Sequence, residues 1–240
     1  MKRIILNIAF SLTLTPFLFA QNKDLKHILN LNYSTNFGNK ELSTKSNFIN
    51  CFGLEYNYYP KKFYVGAQYQ LLFGQYTGVD LFKNIRTSEG LIIADDGSLI
   101  DLKTQFTGNQ AHLLFGFPLF TNTHWHTETT LGAGFMQNQL KSKTLEGTSA
   151  YLSKSNLKGY DQWSIGPSTI QEARLIYLSE NRKINFKIST YIQEVLLWNI
   201  RKYNYYNNTS DTNSHFNFIF GIQIGWIIPI YSSVSEDIFE

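Results

Sequence analysis

Residues 215–230 read His-Phe-Asn-Phe-Ile-Phe-Gly-Ile-Gln-Ile-Gly-Trp-Ile-Ile-Pro-Ile, and their period decides the fold. Phe216, Phe218, Phe220, Ile222, Ile224, Trp226 and Ile228 take every second position, with His215, Asn217, Ile219, Gly221, Gln223, Gly225 and Ile227 between them. A period of two is a β-strand with two unlike faces. A soluble sheet over a core shows the same alternation. Here seven large apolar residues in succession extend one face over about 40 Å, at roughly 3.3 Å per residue. That length suits a tilted strand crossing a bilayer, with lipid outside and a polar lumen inside.

The N-terminus and the composition frame that strand. Residues 1–20 carry a basic start (Lys2, Arg3), an apolar centre and a small residue, Ala20, before Gln21, the layout of a cleaved signal peptide. Gln21, not Cys, directly follows that point, which argues against a lipid anchor. Removing Lys2 and Arg3 lowers the formal charge from +3 to +1, too little to attract nucleic acid. Cys51 is the single cysteine, so no internal disulfide is expected. Beyond the N-terminus no run of about 18 apolar residues predicts a helical span. The expected organisation is a signal peptide over 1–20, one β domain over 21–231 and a polar tail over 232–240.

Seven further alternating runs precede the closing one, over 28–37, 48–58, 63–73, 104–117, 125–135, 169–178 and 184–196. Short turns are expected at Pro60-Lys61, 118–122 and 180–183, after the second, fourth and sixth runs. The other connections are longer. The one over 74–103 holds Asp95-Asp96-Gly97-Ser98 between two apolar tetrads, a hairpin signal. In the fourth run Phe106 joins the outward apolar set only if the face changes near Gly108, which predicts a bulge there. An even strand count with turns at one end and loops at the other predicts an all-β, single, antiparallel up-and-down transmembrane barrel of about eight strands. Tyr56, Tyr58, Phe63, Phe117, Trp125 and Trp226 fall towards the turn end, where an aromatic girdle would sit.

On these features the chain resembles the small eight-stranded outer-membrane barrels of the OmpX and OmpA-transmembrane type, and the small barrel domains of Bacteroidetes. The likeness covers nearly all of residues 26–230. Gln223-x-Gly225-x-x-Ile228-x-Ile230 resembles the C-terminal signal read by the barrel-assembly machinery, although it ends in Ile and is followed by ten residues. The resemblance implies a bacterial outer-membrane location, contact with outer-membrane lipid and lipopolysaccharide, and passage through that machinery. It carries no catalytic motif.

Several polar constellations are candidates for function. Glu55, Glu172, Arg174 and Lys187 all take inward positions, so they are expected to form a lumenal ion-pair network, or to line a narrow channel. His112 and Glu128 take inward positions on strands joined by a tight turn, and counting from 118–122 puts them on nearby rungs. Such a pair could orient a general base, or simply satisfy the lumen. His124, His126 and Glu128 are spaced too widely along one strand to hold a metal unaided, so no metal and no cofactor are expected. Lipid deacylases of outer membranes use a His-x-Ser pair; here the residues two beyond the histidines are Leu29, Leu114, His126, Glu128 and Asn217. Tyr151, Tyr160, Trp163, Tyr203, Tyr205 and Tyr206, with the hairpin over 91–102, could recognise an extracellular protein or glycan. The reading is a structural or surface-interaction barrel, with a lipid-modifying enzyme and a narrow solute or ion channel as alternatives.

Overall fold

A computed structural model of the chain describes residues 27–39, 42, 48–60, 62–75, 80–146, 152, 154–179, 184–201, 203–205, 208–210 and 213–230. The signal peptide over 1–20, the tail over 232–240, the turn over 180–183, Tyr151 and Tyr206 lie outside the described residues.

Eight long strands form one ring. They are β1 (His27–Gly38), β2 (Ile49–Tyr58), β3 (Tyr64–Gln75), β4 (Asp101–Thr121), β5 (Trp125–Glu146), β6 (Gln162–Leu178), β7 (Asn185–Asn199) and β10 (Ser214–Ile230). Between β7 and β10 lies a small hairpin of β8 (Tyr203–Asn204) and β9 (Thr209–Ser210), and a short helix α1 (Lys154–Tyr160) precedes β6. Each long strand pairs antiparallel with its neighbours, and β1 pairs with β10, Leu31 opposite Trp226 and Phe37 opposite Phe220. This closure gives each of the eight long strands a neighbour on both sides, so none is an edge strand.

The period of two becomes an inside and an outside. Along β10 burial alternates residue by residue, with Asn217, Ile219, Gln223 and Ile227 inside and Phe218, Ile222, Ile224 and Trp226 outside. Leu113 is 74% exposed and Trp226 61% exposed, so the outer face offers large apolar side chains to its surroundings. An outer face rich in large apolar side chains around a polar interior is the inverse of a soluble barrel's economy and is what lipid requires. The six expected girdle residues, Tyr56, Tyr58, Phe63, Phe117, Trp125 and Trp226, are all exposed on this outer face.

Strand ends differ from expectation. β4 and β5 run well beyond their alternating runs, pairing without a break from Leu102 opposite Thr144 to Pro118 opposite Glu128. No bulge occurs at Gly108, which faces Asn138 and Leu72 in regular register; the shifts fall between Asp101 and Leu102 and between Pro118 and Phe120. Phe106 therefore points inward and is fully buried. β6 starts at Gln162, passing through Pro167, whose neighbours resume pairing with β7 at Ser168.

Candidate functional site: a filled lumen and a structured cap

The lumen is packed in tiers. At the turn end Ile28, Ile176 and Ile227 form a small apolar cluster. Above it sit the charged residues. Glu55 accepts hydrogen bonds from Arg174 at 2.7 Å and Lys187 at 2.6 Å, and Glu172 accepts from Arg174 at 2.6 Å. Lys187 also lies 3.8 Å from Glu172. The side chains of Asn30, Asn32, Asn57 and Gln68 donate to the Glu55 carboxylate as well. Strands β2, β6 and β7 thus bring together the four charges the parity placed inside. Two acids and two bases cancel, which is how charge survives burial.

Two tyrosines brace this tier. Tyr64 faces Gly116 across the β3–β4 ladder and Tyr191 faces Gly221 across β7–β10. A Cβ at either glycine would meet the tyrosine ring, so each ring lies flat over the backbone its partner leaves open. Tyr64 hydrogen-bonds Thr130, and its ring centroid lies 5.3 Å from the Arg174 guanidinium. Tyr191 donates towards Ser34 at 3.1 Å and also bonds Asn36. These tyrosines were not singled out from sequence, although a Tyr opposite a Gly on paired strands was a readable signal.

His112 and Glu128 do not meet. The turn lies at 122–124, where Asn122 N–H donates to the Trp125 carbonyl, a few residues beyond the expected 118–122. Pro118 sits inside β4 rather than in the turn. The later turn shifts every partner, so His112 faces Gly134 and Glu128 faces Pro118. His112 Nε2 shares a 2.7 Å hydrogen bond with Ser168 Oγ, and Glu128 accepts from the Tyr59 hydroxyl at 3.1 and 3.2 Å. The His124 ring faces the Leu178 carbonyl at 3.2 Å. Among the described residues no three His, Cys, Asp or Glu side chains gather closely enough to share a metal.

Above the charges, glutamines link across the lumen. Gln193 donates to Gln110 at 2.9 Å, Gln110 donates to Gln70, and Gln70 donates to Gln223 at 3.4 Å. Above them the lumen turns apolar. Phe106, Met136, Leu140, Val195 and Ile219 from the strands join Leu81, Phe82, Ile92, Ile100, Leu152 and Leu157 from the connections in one buried cluster. The loop end is therefore stoppered by a dry core to which the cap contributes.

That core fixes the cap. Ile93 bridges Leu99, Ala94 N–H donates to the Ser98 carbonyl at 2.8 Å, and Gly97 takes φ +81°, completing the expected hairpin. Its inner face delivers Ile92, Ala94 and Ile100 to the core while Ile93 and Leu99 stay exposed. At the hairpin tip Asp96 accepts from Ser98 N–H at 2.9 Å and Ser98 Oγ at 2.6 Å, and these bonds hold its carboxyl below the usual range. Phe82 packs on Tyr160, and Tyr160 on Tyr205, at centroid separations of 4.9 and 5.6 Å. Burial, and then the neighbouring Tyr205, push the Tyr160 hydroxyl pKa up.

Comparison with known proteins gives likeness of shape alone. No protein-family model matches the chain, and no curated protein matches it in sequence. Among solved structures, Neisserial surface protein A (NspA) aligns over 85% of this chain and 97% of its own, with 7% identity and a TM-score of 0.47. The attachment invasion locus protein Ail of Yersinia pestis aligns over 85% and 99%, with 12% identity and a TM-score of 0.39. The outer membrane protein OprG of Pseudomonas aeruginosa aligns over 86% and 98%, with 9% identity and a TM-score of 0.38. The architecture is that of a small outer-membrane β-barrel. That statement rests on the closed ring of eight strands and its apolar outer face, and the sequence differs from those of the three structures almost everywhere.

Proposed function

We propose that this protein is a sealed, non-enzymatic barrel of the bacterial outer membrane that holds a structured cap outside the cell for contact with surface partners. The carrying observation is the filled lumen. Glu55, Glu172, Arg174 and Lys187 bond to one another instead of lining a path. Between them and the loop end lie the glutamine tier and the apolar stopper. An eight-stranded barrel has room for side chains inside and little else. The lipid-chemistry alternative loses its proposed acid–base pair, since His112 and Glu128 have separate partners.

In this reading the belt contacts outer-membrane lipid and lipopolysaccharide, and the last strand, with Gln223 to Ile230, engages the assembly machinery during insertion. The cap, built from the hairpin, α1 and the Tyr160–Tyr205 contact, meets an extracellular protein or glycan. A cap anchored in a core keeps its shape before binding, which lowers the ordering cost of recognition. Cells with and without the protein test this. The expected result is an unchanged lipid A mass spectrum together with altered binding of external glycans or cells. A lipid A mass shift equal to an acyl, phosphate or sugar group would overturn it.

A further inference from the structure

We propose that the cavity between the upper end of β5, α1 and Arg201 binds a sugar bearing phosphate or sulfate. This rests on the reading that the cap lies outside the cell, and it names the ligand class for one part of that cap. The cavity exists because β6 starts late. The β5–β6 ladder ends at Leu140 opposite Gln162, so β5 continues to Glu146 with no strand on that side. The space left, about 560 Å³, is lined by Lys141, Lys143, Lys158 and Arg201, by Gln139, Ser142 and Thr144, and by Leu152, Leu157 and Asp161.

The charges in this space are poorly balanced. Asp161 is buried and already engaged: it accepts from Ser142 N–H at 3.1 Å and Gln139 Nε2 at 3.3 Å, and Arg201 lies 3.3 Å away. Among the described residues no carboxylate forms an ion pair with Lys141, Lys143 or Lys158. Lys143 even stands directly opposite Lys103. Like charges facing across a ladder are destabilising. Asp101 stands at the far tip of the same ladder, two residues beyond Lys103. A fold that gathers cations against their repulsion leaves a place for an anion.

Size and height choose among anions. A cavity of this volume is large for inorganic phosphate alone and within the range of small-molecule sites. Gln139, Ser142 and Thr144 offer hydrogen-bonding groups for hydroxyls, and Leu152 and Leu157 offer an apolar wall for a ring face. The outer face of β5 stops being apolar after Phe135, and Lys141 stands six residues further, about 20 Å along the strand. On a strand tilted by about 35–45° that is roughly 15 Å above the last apolar residue, past the apolar belt and on the side of the headgroups and sugars. Two sources share this chemistry: phosphorylated sugars of the cell's own lipopolysaccharide, and a foreign sulfated glycan.

The test uses the full barrel in lipid nanodiscs, titrated calorimetrically with glucose 6-phosphate, glucose 6-sulfate and plain glucose. The expected result is binding of the two charged sugars only. Combining Lys141→Gln, Lys143→Gln and Lys158→Gln should weaken it by about tenfold per lysine, the factor for one charge-assisted hydrogen bond. Lys83→Gln, an exposed lysine elsewhere on the cap, should leave it unchanged. Lys158→Gln alone serves if the triple variant folds poorly. Equal loss with Lys83→Gln, equal binding of plain glucose, or no binding at millimolar sugar would overturn the proposal. Phosphorylated lipopolysaccharide against its phosphatase-treated form, beside a soluble sulfated oligosaccharide, then assigns the source; preference for either charged partner supports the site. Ion conduction through the same nanodisc-derived protein would count against the sealed-barrel reading and not against this one.

Discussion

Arg174 on β6 and Glu55 on β2 stand 119 residues apart in the chain and meet at 2.7 Å, with both side chains wholly buried. The two strands are not neighbours in the ring, so this contact spans the lumen. Glu55 gathers six donors from β1, β2, β3, β6 and β7. One carboxylate therefore ties together five of the eight strands, and its loss should be felt by the whole ring.

Glu55→Gln keeps the side chain's shape and removes its charge, leaving Arg174 and Lys187 with Glu172 alone. Breaking a buried charged network by one partner costs about 3–5 kcal/mol. Urea unfolding of the barrel in lipid vesicles should show that loss. Glu172→Gln should cost less, because Arg174 and Lys187 both retain Glu55. Equal stability of Glu55→Gln and the unaltered protein would mean the network is not the lumen's organising contact.

Gly116→Val should clash with the Tyr64 ring, whose Cε1, Cζ and Oη are the nearest atoms to a new Cβ. Overpacking of this kind costs about 1–3 kcal/mol. In a Tyr64→Ala background the ring is gone and Gly116→Val should cost little. Unfolding free energies of the two single variants and the double variant give the coupling directly. Additive effects would show that ring and glycine do not depend on one another.

The Asp96 carboxyl is held below its ordinary range by its two bonds from Ser98. A depressed carboxylate stabilises its turn while ionised, and that contribution fades as pH falls through the folded value. The Ser98 amide signal should therefore stay constant on acidification through the ordinary Asp range and move only below it. Nuclear magnetic resonance of the barrel in micelles reads this. Asp96→Asn should flatten the titration.

The transmembrane part was legible because lipid and lumen impose opposite demands on alternate residues. Leu54, Tyr56, Gly53 and Glu55 sort by parity alone. The upper part was not, because there the demands reverse. Beyond Ala111 and Phe135 the outer face meets water and carries Asn109, Gln137 and Lys141, while the inner face meets a dry stopper and carries Phe106, Met136 and Leu140. A rule of apolar outside reads Phe106 onto the wrong face and needs a bulge to do so. The identities of the four lumenal charges came from parity, but which meets which depends on ring closure, so Glu55 and Arg174 could be placed inside without being paired. His112 and Glu128 were misjoined by a turn misplaced at Pro118; Pro lacks a donor but sits in β4 at a register shift, where none is needed.

Conductance across a planar bilayer tests the central claim most directly. Purified protein inserted in molar potassium chloride should give no current steps at either polarity. Glu55→Gln should stay silent as well, because the apolar stopper of Phe106, Met136, Leu140 and the cap still closes the loop end. Discrete steps from the unaltered protein would contradict the account, since ions would then be crossing a lumen that its own side chains fill.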